Sequence, residues 1–364
     1  MLVLDDKPEQ SVGECRALGV ALHTPGCSLL GTEPVAVRVR PFEPARDTRA
    51  WEEFVENSTN GNLFHTRRFL SYHPPGRFND RSLVFEGSGG WLAVAPACAA
   101  AEGDCRVWSA HRFSSHGGPV FSPAADLNAQ FALVSALIHY LRDEGYHRAT
   151  MRMPPSCVCA QPMDALPFVL DRCGFRVSTS ELAQFVPLEG LDPETHYHPS
   201  VIRALKKACR AGLHVEESDR FEDFWRLLGA TLAERHETRP THTLEEIESL
   251  RRLCPGEVKL LAAFDGDRML AGTVVFRLNA RAWHTFYFAQ DYAFQSLRPL
   301  TLVKHHLLNQ ATQAGCRVVN FGVCTASGAA IANLGLYRFK SHFGAQPCLR
   351  LSASIDLQNG GQLV

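Results

Sequence analysis

The chain has 364 residues, 45% of them apolar and 21% charged, which is length and composition enough for two domains with a core each. Thirty-seven basic against 38 acidic residues leave a formal charge of −1, which excludes a global field drawing the protein onto DNA or an anionic membrane. No apolar run approaches the roughly 18 residues of a membrane span, and Met1-Leu2-Val3-Leu4-Asp5-Asp6-Lys7 lacks the basic start and apolar stretch of a secretory signal, so the expected location is the cytoplasm.

Residues 1–34 carry scattered Gly and Pro without periodicity and read as an N-terminal extension. Val35, Val37 and Val39 alternate with Ala36, Arg38 and Arg40 as a first strand that stops before Pro41. Trp51, Phe54 and Val55 stripe a short helix. Ser82 to Phe85 and Gly90 to Ala97 form a hairpin, Cys105 to Ser109 a further strand, and Ser114-Ser115-His116-Gly117-Gly118-Pro119 a loop. Phe131, Val134, Leu137, Ile138 and Leu141 share one helix face, with Gly145 as its C′ stop. Ala149, Met151 and Met153 then alternate as a strand, Leu166 to Cys173 is a second short helix, and Phe175 to Val177 opens another strand.

The second half repeats the plan. Phe221 to Arg235 is helical, and Thr243-Leu244-Glu245-Glu246 opens a helix with a capping box. Val258 to Phe264 and Met269 to Leu278 form a hairpin around Asp265-Gly266-Asp267, followed by a strand at Ala282 to Ala289. Val303, Leu307, Leu308 and Ala311 stripe a long helix, and Cys316 to Gly322 is the strand after it. Trp51-Glu52-Glu53-Phe54 recurs as Phe221-Glu222-Asp223-Phe224, 170 positions on, and Gly145 recurs as Gly315 at the same offset. A period this long points to duplicated α/β domains, since solenoid units run to only about 20–50 residues.

The twelve cysteines are scattered, without a Cys-x-x-Cys, so no zinc site is expected and reduced thiols in a cytosolic core are.

Three motifs carry a family resemblance: Ser114-Ser115-His116-Gly117-Gly118, Arg203-Ala204-Leu205-Lys206-Lys207-Ala208 with Gly212, and Phe339-Lys340-Ser341-His342-Phe343-Gly344. On the duplicated frame they resemble the FemAB-type family, two GNAT acyltransferase domains in tandem that transfer aminoacyl groups from tRNA to amines. The likeness covers roughly 35–355. It implies an α/β fold of two tandem GNAT-like domains, each a mixed twisted sheet flanked by helices, over 35–195 and 196–364. It further implies a cytoplasmic amide-forming enzyme that uses charged tRNA and a small-molecule, cell-wall or natural-product amine, with no bound cofactor or metal and no DNA partner, as a monomer or dimer. The alternative is an acyl-CoA-dependent N-acyltransferase of the GNAT superfamily. In the resembling family the lysine of the Phe-Lys motif lies near the reacting carbonyl, which makes Lys340 the first catalytic candidate. Ser115, His116 and Tyr287 are the substrate-binding candidates it suggests, with Thr325 and Asn333 where such proteins close the second site.

The residues argue alongside. Amide formation needs a neutral amine, an activated carbonyl, and a charge or donor for the oxyanion. Lys340, between Phe339 and Phe343, suits a fixed charge; the competing reading is a surface lysine covering the two rings with its stem. Arg203, Lys206, Lys207 and Arg210 fall on one helix face and could meet donor phosphates, as could Arg298; a solvated face is the plainer reading. Polar residues around Pro240 could line the acceptor pocket, with His236 or His242 relaying a proton near neutral pH. Before the long helix, Gln295-Ser296-Leu297-Arg298-Pro299-Leu300-Thr301-Leu302 has no glycine, whereas a CoA pyrophosphate cradle needs them for close backbone approach. Cys324 with His342 as base would offer a covalent route; a packed thiol is the competing reading.

Overall fold

The computed structural model describes residues 35–74, 76–188, 192–236, 239–326 and 331–358, with the backbone alone at 235–236. The expected extension at 1–34 therefore lies outside the described residues. The first half contains β1 (Arg38–Pro41), α1 (Pro44–Glu56), α2 (Arg67–Leu70), β2 (Asn79–Asp80), β3 (Leu83–Gly87), β4 (Gly90–Ala95), β5 (Cys98–Glu102), β6 (Cys105–Ala110), β7 (Val120–Phe121), α3 (Leu127–Asp143), β8 (Arg148–Arg152), α4 (Ala165–Arg172) and β9 (Arg176–Pro187). Then come α5 (Pro199–Arg210), β10 (His214–Glu217), α6 (Phe221–His236), α7 (Leu244–Leu253), β11 (Val258–Asp265), β12 (Arg268–Arg277), β13 (Ala282–Gln290), α8 (Pro299–Gln313) and β14 (Val318–Val323). The chain closes with β15 (Thr325–Ala326), β16 (Ile331–Ala332), α9 (Leu334–Ser341) and β17 (Gln346–Asp356).

Eleven strands form one mixed sheet in the order β10-β11-β12-β13-β14-β9-β17-β8-β6-β5-β2. The expected boundary between 195 and 196 falls within a 3-10 turn at Pro193–His196, and strands from both sides of it share the main sheet. β9, from the first half, pairs with β14, while β17, at the chain's end, pairs with both β9 and β8. Each half thus contributes a strand beside the other's parallel pair, which is β6·β8 in the first half and β13·β14 in the second.

The two halves differ in one respect that the 170-residue echo does not predict. The hairpin β11·β12 lies in the main sheet, but β3·β4 belongs to a separate four-stranded sheet, β1-β3-β4-β7. The first half's share of the main sheet is filled by a hairpin, β5·β6. Sequence reading runs the second strand to Ala97 and leaves Cys98–Glu102 unassigned, because Cys98-Ala99-Ala100-Ala101 has small side chains without alternation. Pro41 is part of β1, which it can be because β1 is an edge strand and a missing N–H costs nothing on its open side.

Helices cover the sheet as their stripes require. α3 buries Phe131, Val134, Leu137, Ile138 and Leu141, Asp126 caps its N-terminus, and Gly145 closes it at φ +71. α8 buries Val303, Leu307, Leu308 and Ala311 against β11 and β12. α7 starts with the expected reciprocal capping box of Thr243 and Glu246. Among the described residues no helix is long and apolar enough to cross a membrane.

Candidate active site

β13 and β14 run parallel and pair only at Ala282↔Val318, Trp283↔Val319 and His284↔Asn320. Beyond His284, β13 stays with β12 as far as Gln290, while β14 stays with β9 as far as Val323. A wedge therefore opens between them. The tip of β14 is shaped by Gly322, whose φ of +72 is a conformation few L side chains adopt. Its N–H is held by the Asn320 carboxamide at 2.8 Å, and the register with β9 is irregular at this point. This bend presents the carbonyls of Gly322 and Val323 to the ammonium of Lys340, which donates to them at 2.9 and 2.8 Å.

Lys340 is 1% exposed, so the reading of a surface lysine over an aromatic pair fails. α9 carries it inward. Asn333 caps that helix through Leu336 N–H at 2.9 Å, and its own N–H donates to Cys324 O at 2.8 Å, tying α9 to the end of β14. Burial lowers the Lys340 pKa, with the neighbouring Cys324 thiol opposing the shift. An ammonium has three donors. Two are spent on carbonyls, and the third has the Cys324 sulfur, a weak acceptor, nearby.

Cys324 itself donates to Gln184 Oε1 at 3.0 Å, and Gln184 donates to Ser341 Oγ at 2.8 Å. His342 is elsewhere: its ring stacks on His198 at 4.4 Å, and Nδ1 lies 3.4 Å from Ser200 Oγ. The Cys324–His342 couple is not assembled, and Cys324 is a packed thiol, 1% exposed. Another thiol pair is close: Cys157 and Cys348, distant in sequence, stand 3.7 Å apart.

A second lysine faces the wedge. Lys304, on α8, is 1% exposed, with Nζ 4.1 Å from the Phe321 ring centroid, 5.0 Å from Phe288 and 5.5 Å from Phe339. Desolvation, and then repulsion from Lys340, lower its pKa to about 7. Phe288 also lines a cavity of about 340 Å3 with Thr231, Arg239, Thr241, Phe286 and Tyr287.

Tyr287 and His242 come together there. His242 Nδ1 is 2.8 Å from Tyr287 Oη, and its Nε2 is 2.7 Å from Tyr72 Oη, so one imidazole links two phenols across the two halves. Burial lowers the His242 pKa to about 4, so it is neutral at pH 7 and does not titrate near neutrality as sequence reading expects. The His236 side chain lies outside the described residues.

His116 is 3% exposed, its Nε2 within 2.9 Å of the Asn62 carboxamide, and sits in a buried seam with His65 and His284. Desolvation holds His65 at about 4 and His284 at about 3, and His116 well below its ordinary value. Ser115 accepts from Arg350 through its backbone carbonyl at 3.1 Å. Thr325 Oγ1 is buried without a hydrogen-bond partner among the described residues.

Arg203, Lys206 and Lys207 are exposed on α5, which turns Val201, Leu205 and Ala208 to the core. The N-terminus of α5 is fastened to the end of α9 by His198 N–H to His342 O at 2.9 Å. Arg298 is exposed at φ +67, between a 3-10 turn at Tyr292–Leu297 and Pro299 at the first position of α8. In that turn the Arg298 N–H already donates to Gln295 O and the Phe294 N–H to Asp291 O.

Lys304, Gln184, Asn320 and Tyr72 carry no motif that marks them in the sequence. For Lys304 a signal existed: it falls on the apolar stripe of Leu300, Val303, Leu307, Leu308 and Ala311.

This architecture, a parallel strand pair that splays beside a long helix, is the fold of the GNAT-superfamily acetyltransferases. Residues 200–341 match the family model described as an acetyltransferase (GNAT) domain. The structure of FemX superposes with a TM-score of 0.69 at 14% identity, over 90% of this chain and 99% of that one. L-PGS from Bacillus licheniformis gives 0.55 at 14% identity, over 85% and 92%. A tandem GNAT protein from the clavulanic acid biosynthesis pathway gives 0.52 at 11% identity, over 88% and 99%. No curated protein matches the sequence.

Proposed function

We propose that this chain is an N-acyltransferase of two tandem GNAT-like domains, moving an aminoacyl group from aminoacyl-tRNA to an amine of a small-molecule, cell-wall or natural-product precursor. The observation that carries this reading is the Lys340 ammonium, buried at the mouth of the β13/β14 wedge with two donors fixed on carbonyls and the third beside the weakly accepting Cys324 sulfur, from which it would turn to a developing oxyanion. Buried and held on two carbonyls, a positioned charge needs little reorganisation as the tetrahedral intermediate forms. The donor carbonyl lies in the wedge with its oxygen toward Lys340. A polyanionic donor is held along the exposed basic face of α5, whose N-terminus is joined to α9. The acceptor amine approaches from the cavity lined by Tyr287 and Phe288. The chain then divides near 195/196, each half borrowing a strand from the other, and works in the cytoplasm as a monomer or dimer.

An acyl-CoA donor is the second reading. It is favoured by the match of residues 200–341 to the acetyltransferase (GNAT) domain family. Against it stands the start of α8, where Pro299 lacks an N–H and no glycine lies between Gln295 and Leu302 to let a pyrophosphate approach the backbone closely. The test is to offer purified protein a panel of amines with either a mixed aminoacyl-tRNA pool or short acyl-CoA thioesters, and to look for new amides by mass spectrometry. Amides formed only with aminoacyl-tRNA support the first reading; amides formed only with thioesters replace it with the second.

A further inference from the structure

The amine that attacks an acyl donor must lose a proton, and Lys340, fixed on two carbonyls and needed as a cation, is not the group to take it. A lysine buried among apolar groups without a carboxylate is costly, and its ammonium form especially so. Lys304 is such a residue: among the described residues it has neither a hydrogen bond nor an acidic partner, and three aromatic rings surround its Nζ. The rings leave the lone pair of the neutral amine uncommitted, yet their faces attract the ammonium that proton uptake would create. We propose that Lys304 is the general base of the acyl transfer. The inference rests on the acyl-transfer reading above but not on which donor is used.

The acceptor nitrogen bonds to the donor carbonyl carbon, and the C=O π pair moves to oxygen, beside Lys340. The nitrogen then passes one proton to Lys304 Nζ. Collapse re-forms C=O and breaks the bond from carbon to the leaving oxygen or sulfur, which takes the proton back from Lys304. The Lys304 amine is left neutral for the next cycle.

Two lysines in one wedge can divide these roles because their surroundings differ. Lys340 has carbonyl acceptors that favour its charged form. Lys304 has none, and its pKa of about 7 reflects desolvation together with the neighbouring Lys340 charge. The titratable groups bearing on Lys304 are Lys340 from α9 and the Cys324 thiol beyond β14. From β11 and β12, Leu261, Ala263, Leu270 and Val275 share the core under α8, and β13 and β14 present Phe288 and Phe321. On its own helix, His305 is turned to Tyr197 and Glu194. Phe288, whose ring centroid is 5.0 Å from Lys304 Nζ, also lines the acceptor cavity, so one side chain borders both the amine and the cavity.

The test has two arms. In the first, 15N NMR of lysine Nζ should show one amine titrating near pH 7 that disappears in Lys304→Met. In the second, wild-type kcat/KM for amide formation should rise with pH to a plateau at the same midpoint, while Lys304→Met loses roughly 10²–10⁴-fold in kcat and the rising limb with it. Lys304→Arg should not rescue, because guanidinium does not deprotonate. An Nζ midpoint near 10, a kinetic limb that does not coincide with it, or a Met variant retaining the wild-type pH profile would each overturn the base role while leaving acyl transfer intact. The wild-type arms decide even if the variant folds poorly. A wild-type protein that forms no amide from either donor class overturns both readings.

Discussion

Lys340→Met tests whether the buried ammonium acts on the reaction or only on the fold. Methionine keeps most of the buried stem's volume but removes the charge and both bonds to Gly322 and Val323. Each carbonyl left unpaired would cost about 1–3 kcal/mol if it were fully dry. Both residues are only half-buried, so water can reach them, and the variant also sheds a charge that was expensive to bury. A net loss of about 1–2 kcal/mol follows, which in a protein of this size lowers Tm by only a few degrees. The catalytic effect should be larger. Removing one preorganised oxyanion donor costs about 10²–10³ in rate, equivalent to roughly 2.7–4 kcal/mol of transition-state stabilisation.

The assay is single-turnover amide formation at saturating donor, well below the Tm of either protein, beside thermal melts of both. A turnover loss of that size with donor affinity unchanged places Lys340 on the transition state. Arginine should restore little, since its longer planar fork cannot reproduce a single ammonium that donates to two converging carbonyls and keeps a third N–H for the oxyanion. A Met variant with wild-type turnover, or one whose only defect is an earlier melt, would make Lys340 a strut holding α9 to β14 and would refute the oxyanion role.

Three further outcomes are expected. Calorimetry should find no micromolar binding of acetyl-CoA, because Pro299 lacks an N–H and the segment Gln295–Leu302 has no glycine for close approach of a pyrophosphate; tight binding would reverse the order of the two donor readings. Replacing Arg203, Lys206 and Lys207 with alanine should weaken binding of aminoacyl-tRNA and flatten its salt dependence by roughly 0.7–0.9 for each phosphate left without its cation; an unchanged slope would return the stripe to solvent. Stability should fall as pH drops from about 6.5 toward 4, because His65, His242 and His284 are held neutral in the fold, with pKa values of about 4, 4 and 3, while the unfolded chain takes up their protons. His111, at about 3 and with both ring nitrogens unpartnered among Phe78 and Phe113, adds to this, so His111→Phe should retain neutral-pH stability and lower the acid slope by up to about 1.4 kcal/mol per pH unit; equal slopes in denaturant titrations would refute it.

How much of this was legible depends on the range of the interaction. Where the pattern is local, the residues announce it. The α3 stripe ends at Gly145, the turn at Asp265-Gly266 joins β11 to β12, and the Thr243/Glu246 capping box opens α7, all as the sequence indicates. The exchange of β9 and β17 between halves has no local mark. β17 meets β8 about 200 positions earlier in the chain, and its alternation gives a face but not a partner. Burial of the two lysines was hidden for a different reason. Residue type says surface, and the lysine head is the last group expected in a core. At Lys304 the type and the stripe disagree, since positions 300, 303, 307, 308 and 311 face the core and 304 must join them. Such a conflict between local rules marks a place where stability has been given up, and those places tend to be functional. The same holds at Gly322, a left-handed residue at the half-buried tip of β14, which bends the two carbonyls toward Lys340. What could not be read is that the two conflicts meet. Only the parting of β13 from β14 after His284 brings the amine of α8 and the ammonium of α9 into one wedge, and a base and an oxyanion partner must share a site before either has a role.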